Sequence, residues 1–442
     1  MTGSAPLGAL RVVVIGAGFG GLAATRALAG APVSITLVDQ RNHHLFQPLL
    51  YQVATAALSP ADIAGPIRSI LAEQENVRVM LDTAVGIDTR QCQVQLASGK
   101  RLDFDRLVIA TGARHSYFGR DEWARHAPGL KTIEDATAVR RKVLLALEQA
   151  EQETDPRRRD ALLTFVVIGG GPTGVEMAGA IAELAHRSVN RDFRSITPHC
   201  SKVILLDQAP RLLASFPEEL AAAALRDLTK LGVEVRLSSP IEHIDADRVI
   251  AGGAGILTNT TIWAAGVEAS PAAQWLGISP DAAGRVPVDA TLRPRGEPKI
   301  FVIGDTAACL GQDGRPLPGV APVAKQQGNH VARAILAEIK GKPVPDFRYR
   351  DFGKLATIGR SHAVADFGRW QLQGFIAWLL WSTVHVYFLA AFRNRLLVGL
   401  NLAWNYLTFA RHARLITGDC ASSGAPGPTL IESTGALYDR VA

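Results

Sequence analysis

The chain has 442 residues, enough for two or three domains and a sizeable core. Hydrophobic residues at 48% and charged residues at 20% exclude a disordered chain, and a net charge of +6 is too dilute over this length to point to nucleic acid. Four cysteines, Cys92, Cys200, Cys309 and Cys420, stand far apart without a CxxC pair, which argues against a disulfide framework or a metal site and for a reducing compartment.

The first predicted element is a buried strand, Val12-Val13-Val14-Ile15, so close to Met1 that no charged leader and apolar region fit before it. It runs into Gly16-Ala17-Gly18-Phe19-Gly20-Gly21 and an Ala/Leu-rich helix from Leu22 to Ala29. A second strand, Ser34 to Val38, ends in Asp39. Each part suits a dinucleotide: Gly16 permits the tight turn, Gly18 lets the backbone approach a pyrophosphate, and Gly21 allows close helix–strand packing. The helix N-terminus offers unpaired N–H groups to phosphate, and Asp39 can accept hydrogen bonds from a ribose.

Leu107-Val108-Ile109-Ala110-Thr111-Gly112 is a strand ending in a small-residue turn. The dinucleotide device then returns as Phe165 to Ile168, Gly169-Gly170-Gly171-Pro172-Thr173-Gly174 and a helix predicted over Val175 to Ala185. Its second strand, Val203 to Leu206, ends in Asp207, delayed by a polar insert from His186 to Lys202. An acid there favours a free ribose hydroxyl, hence NAD over NADP. A lone glycine motif is weak, but two complete copies on one chain point to a bound flavin dinucleotide and a visiting nicotinamide dinucleotide.

Thr261-Ile262-Trp263-Ala264-Ala265-Gly266 repeats the small-residue turn, and Lys299 to Ile303 closes on Gly304-Asp305, where the carboxylate can bond a ribityl hydroxyl. A helix predicted over Pro322 to Ile339 carries the apolar stripe Val323, Ala324, Val331, Ile335 and Ile339, with its positive N-terminal end available to a reduced flavin. The C-terminal part differs in character: 15 of 28 aromatic residues fall after residue 345, and Gly374 to Phe392 carries no charge over 19 residues. Hydropathy alone makes that run a candidate span, yet Ser382, Thr383 and His385 interrupt it. From Leu396 to Phe409, Leu396, Leu400, Ala403, Trp404 and Leu407 recur at helical spacing, opposite Asn401, Asn405, Thr408 and His412. Arg393, Arg395, Arg411 and Arg414 flank this helix, which describes an element lying in a bilayer interface; a docking face for a second copy of the chain is the alternative.

The chain resembles the type II NADH dehydrogenases, single-subunit NADH:quinone oxidoreductases that pump no protons, within the flavoproteins with two dinucleotide-binding domains. The resemblance rests on Asn42-His43-His44-Leu45-Phe46-Gln47-Pro48-Leu49-Leu50-Tyr51-Gln52-Val53-Ala54, on Leu58 to Ile63 and on Leu355 to Arg360. It implies an α/β fold of two Rossmann-like, glutathione-reductase-like domains: a discontinuous FAD-binding domain (10–118 and 290–345), an NAD(H)-binding domain (119–289) and a helical membrane-anchoring region (346–442). It further implies non-covalent FAD at Gly16, Gly18, Gly20, Gly21, Asp39, Gln40, Gln47, Val85, Ala110, Thr111, Gly112, Gly304, Asp305 and Ala321. NADH falls at Gly169, Gly171, Pro172, Thr173, Gly174, Glu176, Asp207, Ala265 and Gly266, and quinone at His44, Pro322, Gln326 and Gln327. Glu176, Gln326 and Gln327 are the implied catalytic residues, although Glu176 also reads as a carboxylate in the first turn of its helix, favoured by the dipole.

One departure stands out. The family's Ala-Gln-x-Ala-x-Gln signature appears here as Ala321-Pro322-Val323-Ala324-Lys325-Gln326-Gln327, so Pro322 removes one polar contact. The implied enzyme lies on the cytoplasmic face of a bacterial inner membrane without spanning it. The alternatives are a soluble reductase of a protein acceptor and a sulfide:quinone oxidoreductase, the latter needing paired redox cysteines that this sequence lacks.

Overall fold

The computed structural model describes residues 9–188, 192–197, 200–389, 392–408 and 413–417. Phe409, Arg411, His412 and Cys420 lie outside the described residues, as do the side chains of Arg393, Asn405, Leu407 and Thr408.

In chain order, the first half contains β1 (Leu10–Ile15), α1 (Phe19–Ala27), β2 (Val33–Asp39), α2 (Leu50–Ala54), β3 (Val77–Leu81), β4 (Arg106–Ile109) and α3 (Ile133–Gln152). The second half opens with β5 (Thr164–Ile168), α4 (Pro172–Glu183), β6 (Lys202–Leu206), β7 (Val233–Arg236) and β8 (Thr260–Trp263). It continues with β9 (Ile300–Val302), α5 (Ala321–Ile339), β10 (Lys354–Gly359), β11 (His362–Asp366), β12 (Gln371–Gly374), α6 (Phe375–Tyr387) and α7 (Phe392–Thr408).

Two parallel sheets carry the architecture. The first runs β9-β4-β1-β2-β3, with Val12 opposite both Ile35 and Arg106, so residues 300–302 return to the sheet that holds the first glycine turn. The second runs β7-β6-β5-β8, with Val166 between Ile204 and Thr261. In each, strand order reverses beside the strand that feeds the glycine turn, which opens a crevice at the carboxyl edge. The central strands β1, β4, β5 and β6 are rich in buried Val, Ile and Leu because both faces are covered.

Several helix boundaries differ from the sequence reading. Helix α1 starts at Phe19 rather than Leu22, and α4 at Pro172 rather than Val175, because helical geometry begins immediately after the second glycine of each motif and Pro suits a first helical position. Glu176 therefore sits in the second turn of α4, and no acid occupies the first. The α-geometry of α4 ends at Glu183 and passes into a π turn, Leu184–Ser188.

The C-terminal part is an antiparallel sheet, β10-β11-β12, followed by α6 and α7. It is pressed onto α4: a Cβ on Gly179 would lie 1.7 Å from the Ile358 carbonyl oxygen, so only hydrogen fits between helix and strand. Glu183 extends the same seam by accepting the Arg360 backbone N–H at 2.5 Å. Thirteen residues of α6 measure about 20 Å, short of a hydrocarbon core. Among the described residues no helix is long and apolar enough to cross a membrane. Helix α7 begins at Phe392, a turn earlier than its apolar periodicity predicted.

This seam generates a test. Gly179→Ala forces α4 off β10 and is expected to destabilise the protein by roughly 1–3 kcal/mol, read as a lower melting temperature. Gly255→Ala, where a Cβ meets nothing within 4 Å, should leave melting unchanged. Equal melting of both variants would contradict the tight contact.

Candidate functional site

The two glycine turns are built alike, atom for atom. Gly16 has φ +97° and Gly169 φ +112°; a Cβ would lie 2.4 Å from the Ala110 oxygen in the first and 2.6 Å from the Ala264 oxygen in the second. At Gly21 and Gly174 a Cβ would fall 1.8 and 1.7 Å from the carbonyl oxygen of the turn's first glycine. At Gly18 and Gly171, by contrast, nothing stands within 4 Å. These open positions are also the N-caps of α1 and α4, and neither helix has a side-chain cap or an acid in its first turn. Uncapped N–H groups facing open space form an anion cradle, as a pyrophosphate requires.

Asp39 and Asp207 occupy equivalent strand ends despite the longer insert before Asp207, because β6 pairs with β5 as β2 does with β1. Asp39 accepts Ala17 N–H at 2.6 Å and Arg41 N–H at 2.7 Å. Asp207 accepts Gly170 N–H and, at 2.8 Å, Ala209 N–H. Each carboxylate thus pins its own turn, and each oxygen keeps lone-pair capacity for a ribose hydroxyl.

The small-residue turn after β4 meets Gly304-Asp305 after β9. Thr111 Oγ1 lies 2.5 Å from Ser270 Oγ and 3.2 Å from Thr306 Oγ1, and the Thr306 hydroxyl donates to the Gly112 carbonyl at 3.1 Å. Ala110 and Thr111 line this corner half-buried, and Ala321 opens α5 beside it. Gln47, exposed, donates to the Lys131 carbonyl at 3.1 Å, and the Lys131 ammonium stands 3.6 Å from Asp305. Gln40 is exposed next to Asp39, and Val85 is half exposed on a separate antiparallel sheet. On the other crevice, Pro172 and Thr173 are exposed at the start of α4, while Ala265 and Gly266 are half-buried at the turn after β8.

Glu176 is the unusual acid. It is partly buried on the α4 face that meets β10, where its Oε1 accepts Thr357 N–H at 3.4 Å, and burial pushes its pKa up to about 8. A carboxyl still protonated at neutral pH can hold and give a proton, a role the sequence pattern did not reveal.

The four quinone candidates do not behave alike. His44 is buried; its Nδ1 lies 2.8 Å from the Ala17 carbonyl, which can only accept, so Nδ1 carries the proton. Burial lowers the His44 pKa, keeping the ring neutral. Pro322 is exposed in the first turn of α5. The two glutamines are committed elsewhere. Gln327, 1% exposed, accepts Gly304 N–H at 2.7 Å. Gln326 pairs with both backbone groups of Arg350, at 2.9 and 3.0 Å. Both amides hold backbone in place in this structure.

An aromatic chain that sequence reading missed starts at His44. The rings follow one another from His44 to Phe19 at 5.2 Å, to Phe46 at 5.8 Å, to His385 at 6.2 Å and to Trp381 at 4.2 Å. It links the first glycine turn with α6. His44, Phe19 and Phe46 lay within recognisable motifs; His385 and Trp381 are distant in sequence from them and meet them through folding alone.

The outer face of α6 and α7 is apolar. Ile376, Leu379 and Tyr387 on α6 are 66%, 52% and 66% exposed, and Leu396, Leu400 and Trp404 on α7 are 56%, 59% and 54% exposed. At the start of α7, Asn394 donates to the Ala61 carbonyl at 3.1 Å. Among the described residues no group of His, Cys, Asp and Glu could hold a metal, and Cys92, Cys200 and Cys309 are free thiols, Cys309 buried in the core.

A family model of pyridine nucleotide-disulphide oxidoreductases matches residues 10–328, and one of the NDH2 C-terminal domain matches 352–412. The chain is 43% identical over 431 residues to the type II NADH:quinone oxidoreductase NdhA of Mycobacterium tuberculosis, covering 93% of this chain and 89% of that protein. It is 42% identical over 422 residues to Ndh of the same organism, covering 92% and 90%. The structure of NDH2 from Plasmodium falciparum in complex with NADH shares the fold, with a TM-score of 0.83 at 18% identity over 92% of this chain and 100% of that one. The sulfide:quinone oxidoreductase of Aquifex aeolicus is more distant, with a TM-score of 0.66 at 21% identity over 89% and 92% of the two chains. Sequence and fold together make this chain a member of the type II NADH:quinone oxidoreductases.

Proposed function

We propose that this protein oxidises NADH at a non-covalent FAD and passes two electrons to a membrane quinone, while lying on a bilayer through the outer face of α6 and α7. The observation that carries the reading is the pair of uncapped, open glycine turns at Gly18 and Gly171, one cradle for each dinucleotide. FAD supplies, when bound, the capacity to accept a hydride and to release two electrons.

The protein's own residues orient and isolate these partners. Gly16, Gly18, Gly20, Gly21, Asp39, Thr111, Gly304 and Asp305 hold FAD, with Gln327 fixing the Gly304 backbone. Gly169, Gly171, Gly174 and Asp207 seat NADH, and the unphosphorylated-ribose preference of Asp207 selects it over NADPH. Glu176, protonated near neutrality, offers a proton at the α4–β10 seam. Quinone approaches from the α6 side, near neutral His44 and Phe46, whose apolar walls suit a ring and isoprenoid tail. Gln326 shapes that approach indirectly, by holding the Arg350 backbone.

A bilayer on the cytoplasmic side of a bacterial inner membrane accounts for six large apolar side chains at half exposure or more on two neighbouring helices, each worth on the order of 1 kcal/mol on insertion. Arg395, over the Tyr387 ring at 5.6 Å, suits anionic headgroups. The sulfide reading finds no support, since Cys309 is buried without a cysteine partner among the described residues.

Two tests follow. Replacing Ile376, Leu379, Leu400 and Trp404 together with Ser should abolish vesicle binding and quinone reduction in vesicles, yet spare NADH oxidation with a water-soluble acceptor. Unchanged vesicle binding would refute the bilayer face, and an unchanged rate with membrane quinone would favour a soluble reductase. For Glu176, the folded state binds the proton more tightly than the unfolded chain, so ionisation costs stability as pH rises from about 4.5 to about 8. Glu176→Gln should therefore gain stability over the parent progressively between pH 5 and 8, by a few kcal/mol at most, read as a rising difference in melting temperature. A pH-independent difference would show that the carboxyl is not buried.

A further inference from the structure

We infer that Lys131 is a positioning residue for the flavin, holding Asp305 in place and compensating its charge, so that it sets how tightly reduced FAD is bound relative to oxidised FAD. The inference rests on the FAD reading of the site.

The side chains of Lys131 and Asp305 are 17% and 24% exposed, and the ammonium stands 3.6 Å from Asp305 Oδ2. The backbone around Lys131 is fixed from several sides. Asp135 Oδ2 accepts the N–H groups of Lys131 and Thr132, each at 2.9 Å, and lies 3.0 Å from His115 Nε2. Thr132 Oγ1 accepts Asp135 N–H at 3.0 Å, closing a capping box at the start of α3. Gln47, from the motif that follows β2, donates to the Lys131 carbonyl. Asp305 is anchored in turn, because Gln327 grips the preceding Gly304 N–H. A flexible lysine on so constrained a backbone, aimed at the one carboxylate of the Gly-Asp turn, is placed for electrostatics.

The need for it is physical. The cleft that receives FAD already takes the pyrophosphate charge, and Asp305 adds a second anion. Two-electron reduction leaves the flavin ring near its anionic form at neutral pH, a third negative charge in a partly buried site. A fixed ammonium favours the more negative state, since partial burial weakens solvent screening.

The test measures binding and potential on the full chain. Apoprotein of the parent, Lys131→Met and Lys131→Arg is titrated with oxidised and with dithionite-reduced FAD, and the two-electron potential is measured against a redox dye. Lys131→Met should bind both forms more weakly and lower the reduced-to-oxidised affinity ratio about tenfold, equivalent to a fall of about 30 mV. Lys131→Arg should restore the parent potential, and Asp305→Asn, which keeps the ammonium but removes its counter-charge, should move it upward. A parent-like potential in Lys131→Met, or a Lys131→Arg potential as low as that of Lys131→Met, would overturn the inference. If Lys131→Met apoprotein melts below the parent, Lys131→Arg and Asp305→Asn decide alone: an upward shift in Asp305→Asn with a parent potential in Lys131→Arg supports it, and any other pairing refutes it. A parent chain that binds no FAD would instead overturn the reading of the site itself.

Discussion

At the first and fourth glycines of each turn only a hydrogen atom fits against a carbonyl oxygen, and at the middle glycine nothing stands nearby. The two conditions belong together. Close approach at Gly16 and Gly21 brings α1 down onto β1 and β4, and the same approach at Gly169 and Gly174 brings α4 onto β5 and β8. Both helices then open toward empty space without a cap. A helix end left uncapped costs stability until an anion meets it, so the molecule carries two built-in demands for phosphate. The remaining architecture packs against these two turns and leads from them to an apolar surface.

That connection runs along α4. Its outer flank lies against β10 through Gly179 and Glu183, and Glu176 sits on the same flank with a proton it keeps to about pH 8. The sheet β10-β11-β12 leads directly into α6, where His385 and Trp381 meet the aromatic chain from Phe19 and Phe46. The two glycine turns and the apolar outer face are thus parts of one packed unit, which suits an enzyme whose donor is water-soluble and whose acceptor dissolves in lipid. Burial of His385, which lowers its pKa to about 4, keeps that ring neutral and consistent with an apolar setting.

Much of this was legible in the sequence because it depends on backbone. The doubled Gly-x-Gly-x-x-Gly turns, their acids and the Gly304-Asp305 return announce themselves through glycine, whose lack of Cβ is the requirement itself. The outward apolar face of α7 was legible through the spacing of Leu396, Leu400 and Trp404. Side-chain roles were less so. Gln326 and Gln327 read as quinone-site amides, and the sequence does not show that each also bonds a backbone partner remote in sequence, Arg350 and Gly304. Glu176 read both as an implied catalytic glutamate and as a first-turn helix acid, whereas its environment comes from β10, some 180 residues on. Lys131 was invisible because its target, Asp305, is fixed by tertiary structure; only the capping box of Thr132 and Asp135 marked that loop as rigid.

The central claim is that two half-reactions share one flavin, and an anaerobic experiment addresses it most directly. Flavin-loaded protein is mixed with NADH while the flavin absorbance is followed, and a ubiquinone analogue is then injected. The account predicts rapid bleaching followed by rapid recovery of the oxidised spectrum. Bleaching without recovery would contradict quinone as the acceptor, and no bleaching would contradict the assignment of the second glycine turn to NADH.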